Sequence, residues 1–151
     1  MKAVVQRVTR CSVSVRGQLN SRIDSGILIF LGVHELDVNA DADFLADKCA
    51  ALRIFDDGTG KMNLSVKDIG GSAMVVSQFT LYGDARKGNR PNYMQAAKPE
   101  LAERLYECFV DRLQNLMGRE KVATGVFREM MNVELVNDGP VTIIIDTREH
   151  V

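Results

Sequence analysis

The sequence predicts a single α/β domain over residues 1–151, with mixed, largely antiparallel β-sheet layers packed against two long helices. Runs with a period of two and many β-branched residues, which are typical of strands, recur from the beginning of the chain to Ile145. Two stretches instead carry apolar residues at helical spacing. The resulting order of strands, helix, strands, helix and strands suits a mixed sheet that packs on helices within one domain.

The first strands are predicted before residue 34. Residues 2–15 alternate with a period of two, and Arg7 interrupts their otherwise apolar beginning. Arg7 either lies on a solvated strand face or donates a hydrogen bond to a neighbouring backbone carbonyl. Residues 16–20 are predicted as a hairpin loop and residues 21–24 as a short return strand. The continuous apolar run at 26–33 is typical of a strand that is covered on both faces.

The first helix is predicted to begin after an N-cap at Asn39 and to end near Leu52. Its apolar stripe consists of Phe44, Leu45, Cys49 and Leu52. A short strand is predicted at 53–55, followed by a turn at 56–61. Residues 62–69 are predicted to be irregular.

A strand with a polar end is predicted over residues 72–82. Its beginning is apolar, whereas Ser77, Gln78 and Thr80 gather at its far end. The loop that follows, at 83–92, holds the densest cluster of positive residues outside the helices. The cluster consists of Arg86, Lys87 and Arg90. Most charged loops are simply solvated, but this one comes directly after the polar strand end.

The second helix is predicted from Pro99, a residue favoured in a first turn, to Met117, with Gly118 as its stop. Strands are then predicted at 121–127 and 131–136. A last strand is predicted to follow Pro140, and the charged tail after Ile145 is expected to be loose.

The segment Asn137-Asp138-Gly139-Pro140-Val141-Thr142 lies between two predicted strands. Spacing alone predicts a hairpin turn. The alternative is a rigid backbone projection whose carbonyls face a ligand. Gly139 has wide backbone freedom, and the bond before a proline is the common place for a cis peptide.

Composition excludes several classes of protein. The chain is 46% hydrophobic and 26% charged, which is ordinary for a globular protein, and no run approaches the ~20 apolar residues of a membrane span. The beginning of the chain lacks a signal-peptide core, and three scattered cysteines are interpreted as buried thiols, so a cytoplasmic location is expected. The net charge of −1 argues against a protein that binds nucleic acid through a broad basic face. It does not argue against binding of a short RNA end through a local basic patch.

The sequence predicts neither a metal site nor a cofactor. It contains no phosphate-binding loop and no dinucleotide fingerprint, and its two histidines are too few for a typical zinc site. A hydrolase with a histidine base would have to use His34, at a strand end, or His150, a poor candidate next to the C-terminus. Hydrolysis by this chain would therefore depend mostly on backbone groups, bound water or the substrate itself.

Two segments together resemble the signature motifs of the D-aminoacyl-tRNA deacylases: Ser77-Gln78-Phe79-Thr80-Leu81 and Asn137-Asp138-Gly139-Pro140-Val141-Thr142. The resemblance extends through residues 6–8, 58–64 and 83–91, and it covers the chain up to Ile145. Each motif alone is a weak signal, but the pair in this order and in a chain of this length is specific.

The resemblance implies the family's fold and a homodimer whose active sites lie at the subunit interface. It implies a cis Gly139–Pro140 pair that enters the partner's pocket and rejects L-residues, with its carbonyl supported by Arg7. Met131 and Asn137 would belong to the same substrate-binding side. The reaction centre would be lined by Ser77, Gln78, Phe79 and Thr80.

The implied substrate is the 3′ end of a tRNA that carries a D-amino acid. Glycine, which has no side chain to reject, would also be released. Backbone N–H groups near Phe79 and Thr80 would stabilise the oxyanion, and the ribose 2′-hydroxyl would help to activate water. From their charge and position, the loop residues expected to contact the tRNA are Arg86, Lys87 and Arg90.

Several alternatives stay open at the level of sequence. Ser77 or Thr80, the latter more plausibly, would act as a nucleophile in a covalent mechanism. The chain would otherwise be a non-catalytic module that binds the tRNA 3′ end, or a Ser/Thr hydrolase of small D-amino acid esters. In a purely structural interpretation, residues 137–142 are a hairpin turn and the polar strand end is buried.

Overall fold

The long strand β1 (Lys2–Val15) organises the main sheet, because it pairs along both of its edges. One edge meets β2 (Gln18–Ile23) and β3 (Gly26–Gly32), and the other meets β8 (Met131–Asp146), all antiparallel. The computed structural model describes residues 1–150, with only the backbone at position 150. The predicted first strand is confirmed, and the predicted hairpin loop is shorter because β2 already begins at Gln18.

The other half of the sheet is parallel: β3 pairs with β6 (Ser72–Ser77), which pairs with β7 (Val122–Thr124). Parallel neighbours require long crossover connections. These contain α1 (Asn39–Ala51) and α2 (Pro99–Met117). The predicted α/β class, with a mixed sheet and two long helices, is confirmed.

A small hairpin lies outside the main sheet. It pairs β4 (Phe55–Asp56) with β5 (Met62–Leu64). The expectation of an irregular segment at 62–69 is therefore wrong at its beginning, where the backbone pairs with β4.

Apolar side chains cover both faces of the sheet, as the continuous apolar run of β3 predicts. Ile27 and Ile29 belong to the larger cluster between the sheet and the helices, whereas Leu28 belongs to a second cluster with Val8 and Val13. Burial raises the pKa of Cys11 to about 11 and that of Cys49 to about 12, so neither supplies a thiolate near neutral pH. The third cysteine, Cys108, is only half-buried, contrary to expectation, and all three are free thiols.

Helix α1 differs from its prediction in two details. Its N-cap is Val38, whose N–H donates to the Asp41 carboxylate at 2.9 Å, while Asn39 is the first helical residue. Phe44 is 39% exposed rather than part of the buried stripe. The reason is that α1 packs through small side chains, and its buried residues are Ala42, Leu45, Ala46, Cys49 and Ala50.

The segment after β8 is ordered against the first residue, contrary to the expectation of a loose tail. Thr147 is buried, its N–H donates to the Met1 carbonyl at 2.9 Å, and its hydroxyl accepts from the Met1 ammonium group. That ammonium also forms a buried ion pair with Asp37 at 2.9 Å. The side chain of His150, weighed above as a base, lies outside the described residues.

Over residues 1–150, no helix combines the length and the apolar character needed to cross a membrane.

Candidate active site

Strand β6 ends at Ser77, so the prediction that it continues to Tyr82 is wrong. After Gln78 the chain forms a single 3-10 turn, Phe79–Tyr82, which we call the β6 turn. The Gln78 N–H still donates to the Leu31 carbonyl at 2.8 Å, while the Gln78 carbonyl accepts from the N–H of Leu81. The polar residues that were predicted at a strand end therefore lie at the start of this turn.

A close approach to Gly32 explains why this turn fits. A Cβ atom at Gly32 would lie 3.1 Å from the Leu81 Cβ atom and 3.2 Å from the Gln78 carbonyl oxygen. A larger residue at the end of β3 would therefore push the β6 turn away from the sheet.

The β6 turn directs polar groups outward. The first N–H groups of a helical turn have no acceptor within the turn, and here they belong to Phe79 and Thr80. The Gln78 side-chain amide donates to the Thr80 hydroxyl oxygen. Phe79 is 57% exposed, and its ring packs edge-on against Tyr93 at 5.2 Å between centroids.

A cleft of about 680 Å³ opens beside the β6 turn. Its wall contains Ser77, Gln78 and Phe79, and it also contains Met131, as the resemblance implies. Thr80 is exposed but is not among the lining residues. Sequence reasoning missed Tyr93 and the loop 126–130, because nothing in their local pattern signals proximity to β6.

The Gly139–Pro140 peptide is cis, as expected, but the surrounding segment is not a hairpin turn. Strand β8 continues along β1 on both sides of it: Gln6 pairs with Thr142, and Val8 pairs with Asn137. The β8 segment between these partners is longer than the β1 segment that it faces. Residues 138–141 are therefore an unpaired insertion in the ladder, which we call the β8 bulge. Its residues 138–140 are exposed, whereas Val141 is buried in the core.

Arg7 braces the β8 bulge from below. Its side chain is 10% exposed, and its Nε donates to the Asp138 carbonyl at 3.0 Å and also lies 3.1 Å from the Asp138 carboxylate. Its Nη1 donates to the Ile54 carbonyl at 2.6 Å. Of the two interpretations of Arg7, the contact with a backbone carbonyl is therefore the one that the structure contains. The resemblance implied a carbonyl of the Gly139–Pro140 pair, whereas the observed acceptor is the carbonyl of the preceding residue, Asp138.

Asn137 closes the base of the β8 bulge. Its side-chain amide donates to the Arg7 carbonyl at 2.9 Å and to the Val141 carbonyl at 3.1 Å. These bonds tie β8 to β1 and tie the two ends of the bulge together. Gly139 and Pro140 themselves are exposed.

The predicted site residues thus form two groups. Ser77, Gln78, Phe79 and Met131 share the cleft, whereas the second group, Arg7, Asn137, Gly139 and Pro140, surrounds the β8 bulge. None of this second group is among the described residues that line the cleft.

The basic loop contains one residue that is already engaged. Arg86 makes a two-point contact with the Asp84 carboxylate, at 2.9 and 2.7 Å, and this contact lowers the pKa of Asp84 to about 2. Lys87 and Arg90 are exposed.

The contacts of His34 indicate a structural role rather than a catalytic one. It is buried, its Nδ1 accepts from the Leu36 N–H at 3.1 Å, and its ring packs edge-on against Tyr82 at 5.2 Å. Burial lowers the pKa of its imidazole. His34 is not among the cleft residues, which argues against a role as the base. Residues 1–149 contain no group of three or more His, Cys, Asp and Glu side chains with metal-binding geometry.

Comparison with known proteins matches this chain to proteins described as tRNA deacylases. A family model described as D-Tyr-tRNA(Tyr) deacylase matches residues 4–146. A protein of Porphyromonas gingivalis (strain ATCC 33277) named D-aminoacyl-tRNA deacylase is 56% identical over 147 residues, which is 97% of each chain. A protein of Koribacter versatilis (strain Ellin345) with the same name is 54% identical over 149 residues, 99% of each chain.

A solved structure shares the fold of this chain. It is described as c-Myc DNA Unwinding Element Binding Protein and superposes with a TM-score of 0.93 at 40% identity. The superposition covers 97% of this chain and 99% of the other.

Proposed function

The chain belongs to the D-Tyr-tRNA(Tyr) deacylase family, and from this membership we propose that it hydrolyses the ester bond of D-aminoacyl-tRNA and releases free tRNA and the D-amino acid. The observation that carries the proposal is that both motifs lie within the matched region as separate, ordered backbone features. One motif is the β6 turn beside a cleft, and the other is the braced β8 bulge. The encounter with charged tRNA would take place in the cytoplasm.

Chiral selection is assigned to Gly139 and Pro140 in this proposal. Their carbonyl groups would accept hydrogen bonds from the α-ammonium group of a D-residue, whose side chain would then point towards solvent. An L-residue on the same ester would drive its side chain into the backbone. Such a clash would reject L-residues whatever their side-chain type. Glycyl-tRNA would also be hydrolysed, because glycine has no side chain to reject.

Support for this role comes from the way in which the β8 bulge is held. Arg7 binds the Asp138 carbonyl directly before Gly139, and Asn137 joins both ends of the bulge. A backbone that is held at both ends can reject a side chain by contact, because it does not move aside.

A homodimer would bring the two groups of site residues together. Gly139 and Pro140 of one subunit would enter the cleft beside Ser77 and Phe79 of the partner. Two observations support this arrangement. Large apolar side chains stay exposed in one chain, among them Phe79 at 57%, Met130 at 88% and Ile144 at 68%. Among the described strands, β8 pairs with β1 alone, so its outer edge is open.

Catalysis is assigned mainly to backbone groups. The N–H groups of Phe79 and Thr80 at the start of the β6 turn would stabilise the developing oxyanion. The ribose 2′-hydroxyl of the terminal adenosine would help to activate the attacking water. The Thr80 hydroxyl already accepts a hydrogen bond from Gln78, an arrangement that lowers its nucleophilicity.

The direct test incubates the protein with D-tyrosyl-tRNA and with L-tyrosyl-tRNA and follows the remaining ester. We expect rapid loss of the D-ester only. Equal loss of both esters, or loss of neither, contradicts the proposal. A binding module for the tRNA 3′ end would instead bind charged and uncharged tRNA alike and release no amino acid. A hydrolase of small esters would cleave D-tyrosine esters as efficiently without tRNA.

A further inference from the structure

A turn in the cleft wall contains a residue with unusual backbone geometry. The Glu129 N–H donates to the Val126 carbonyl at 3.3 Å, which closes a turn with Phe127 and Arg128 at its centre. Arg128 has a φ of 64°, in the left-handed region that favours glycine at this turn position. Non-glycine residues with such angles are uncommon and cluster at functional sites and ligand clamps.

The position of Arg128 links this geometry to the proposed reaction centre. Arg128 lines the same cleft as Ser77, Gln78 and Phe79, and it is the one cationic side chain among the described residues that do so. It is exposed, and it has no hydrogen bond or ion pair to another described residue. Its acidic neighbour Glu129 is instead paired with Arg16 at 3.4 Å.

We propose that the Arg128 guanidinium binds a backbone phosphate of the single-stranded 3′ end of tRNA. This inference rests on the proposed function, because an aminoacyl ester that reaches Ser77 and Phe79 necessarily brings the adjacent phosphodiesters to the cleft wall. A guanidinium group offers paired N–H donors that match the oxygens of a phosphate.

Arg128 is also a better phosphate ligand than Arg86 in the basic loop. The Asp84 carboxylate already occupies the Arg86 guanidinium at two points. A phosphate would have to displace that carboxylate at Arg86, whereas at Arg128 it would displace no hydrogen-bond or ion-pair partner among the described residues.

Arg128→Gly separates this role from a structural one. Glycine suits the left-handed backbone better than arginine, so the thermal midpoint of the variant should stay equal or rise. Loss of the phosphate contact should raise the KM for D-tyrosyl-tRNA about five- to tenfold at low salt, with little change in kcat. Arg128→Lys should restore part of the loss, because it keeps the charge.

The salt dependence gives an independent readout. The slope of log(kcat/KM) against log[salt] should become shallower by about 0.7 in Arg128→Gly, the value for one phosphate contact to a single strand. Arg119→Gln is the matched control, because Arg119 is exposed on the 3-10 helix Arg119–Lys121 and does not line the cleft. Its KM and slope should equal those of the unmodified protein.

The inference is overturned if Arg128→Gly keeps the original KM and salt slope, or if it lowers kcat while KM stays constant. Binding of a fluorescent tRNA acceptor-stem hairpin with a single-stranded 3′ end tests it without catalysis. Failure of the unmodified protein to hydrolyse D-tyrosyl-tRNA would contradict the proposed function but not the Arg128 inference. The Arg128 inference would then stand or fall on whether Arg128→Gly binds the hairpin about five- to tenfold more weakly than Arg119→Gln.

Discussion

The β8 bulge interrupts a strand and the β6 turn follows the end of one, and different groups hold the two segments in place. Side chains hold the β8 bulge: Arg7 donates to the Asp138 carbonyl, and Asn137 donates to the carbonyls of Arg7 and Val141. Backbone hydrogen bonds hold the β6 turn, namely Gln78 N–H to the Leu31 carbonyl and Leu81 N–H to the Gln78 carbonyl. The turn can pack close to β3 because Gly32 has no side chain. The bulge should therefore be sensitive to loss of a side chain, and the turn to the addition of one.

The largest effect is expected for Arg7→Ala. The substitution removes a buried guanidinium and leaves the Ile54 and Asp138 carbonyls without their donor, which should lower the free energy of unfolding by about 2–3 kcal/mol. The released β8 bulge should also reject L-residues poorly. Urea unfolding measures the first effect, and the ratio of D- to L-tyrosyl-tRNA hydrolysis measures the second.

Arg7→Lys is the informative companion variant. It keeps the charge but loses the guanidinium that reaches two carbonyls at once, so it should recover stability only in part. A D/L ratio that stays unchanged in Arg7→Ala, with the protein folded, would contradict the bracing role of Arg7.

A smaller effect is expected for Gly32→Ala in the other region. The added methyl group meets the Leu81 Cβ atom and the Gln78 carbonyl at 3.1 and 3.2 Å, so the β6 turn must shift. We expect a loss of about 1–2 kcal/mol in the free energy of unfolding and a lower kcat for D-tyrosyl-tRNA.

Gly139→Ala is the matched control for stability, because it makes the same change in the β8 bulge. The nearest heavy atom to the added methyl group is the side-chain oxygen of Asn137 at 3.1 Å. This oxygen accepts no hydrogen bond from a described residue, so it can shift slightly while the amide nitrogen keeps its two bonds. Thermal unfolding should show a clearly smaller loss than in Gly32→Ala. Equal losses would mean that the bulge and the turn are held in the same way.

The smallest effect is expected for Ser77→Ala and Thr80→Ala. If backbone N–H groups perform the oxyanion role, each hydroxyl can be removed with less than about a threefold change in kcat for D-tyrosyl-tRNA. Single-turnover kinetics are the appropriate measurement, because they separate the chemical step from product release. A loss of several orders of magnitude in either variant would instead contradict the assignment of catalysis to backbone groups.

Local pattern was enough for much of the framework. The alternation in residues 2–15 predicts β1, the continuous apolar run predicts the doubly covered β3, and Pro99 and Gly118 delimit α2. The same logic failed at Phe44. Helical spacing assigns it to the buried stripe, but a helix that packs through alanines leaves it partly exposed.

Local sequence pattern predicted the wrong backbone conformation at both motifs. Gly-Pro between two apolar runs has the local signature of a hairpin turn, and alternation predicts a strand as far as Tyr82. The outcome depended on partners distant in the chain: β1 for the β8 bulge, and Gly32 for the β6 turn.

By itself, the sequence determined the α/β class, the resemblance to a family and the chemical types of the site residues, because these follow from periodicity, composition and short motifs. Only the tertiary structure decided that the chain passes through Gly139–Pro140 without reversing, that Arg7 braces it and that Arg128 faces the cleft. The physical reason is that strand register and cleft walls are long-range contacts. The pairing of Gln6 with Thr142 and of Val8 with Asn137 leaves the intervening residues as an unpaired insertion, and no local window contains both strands.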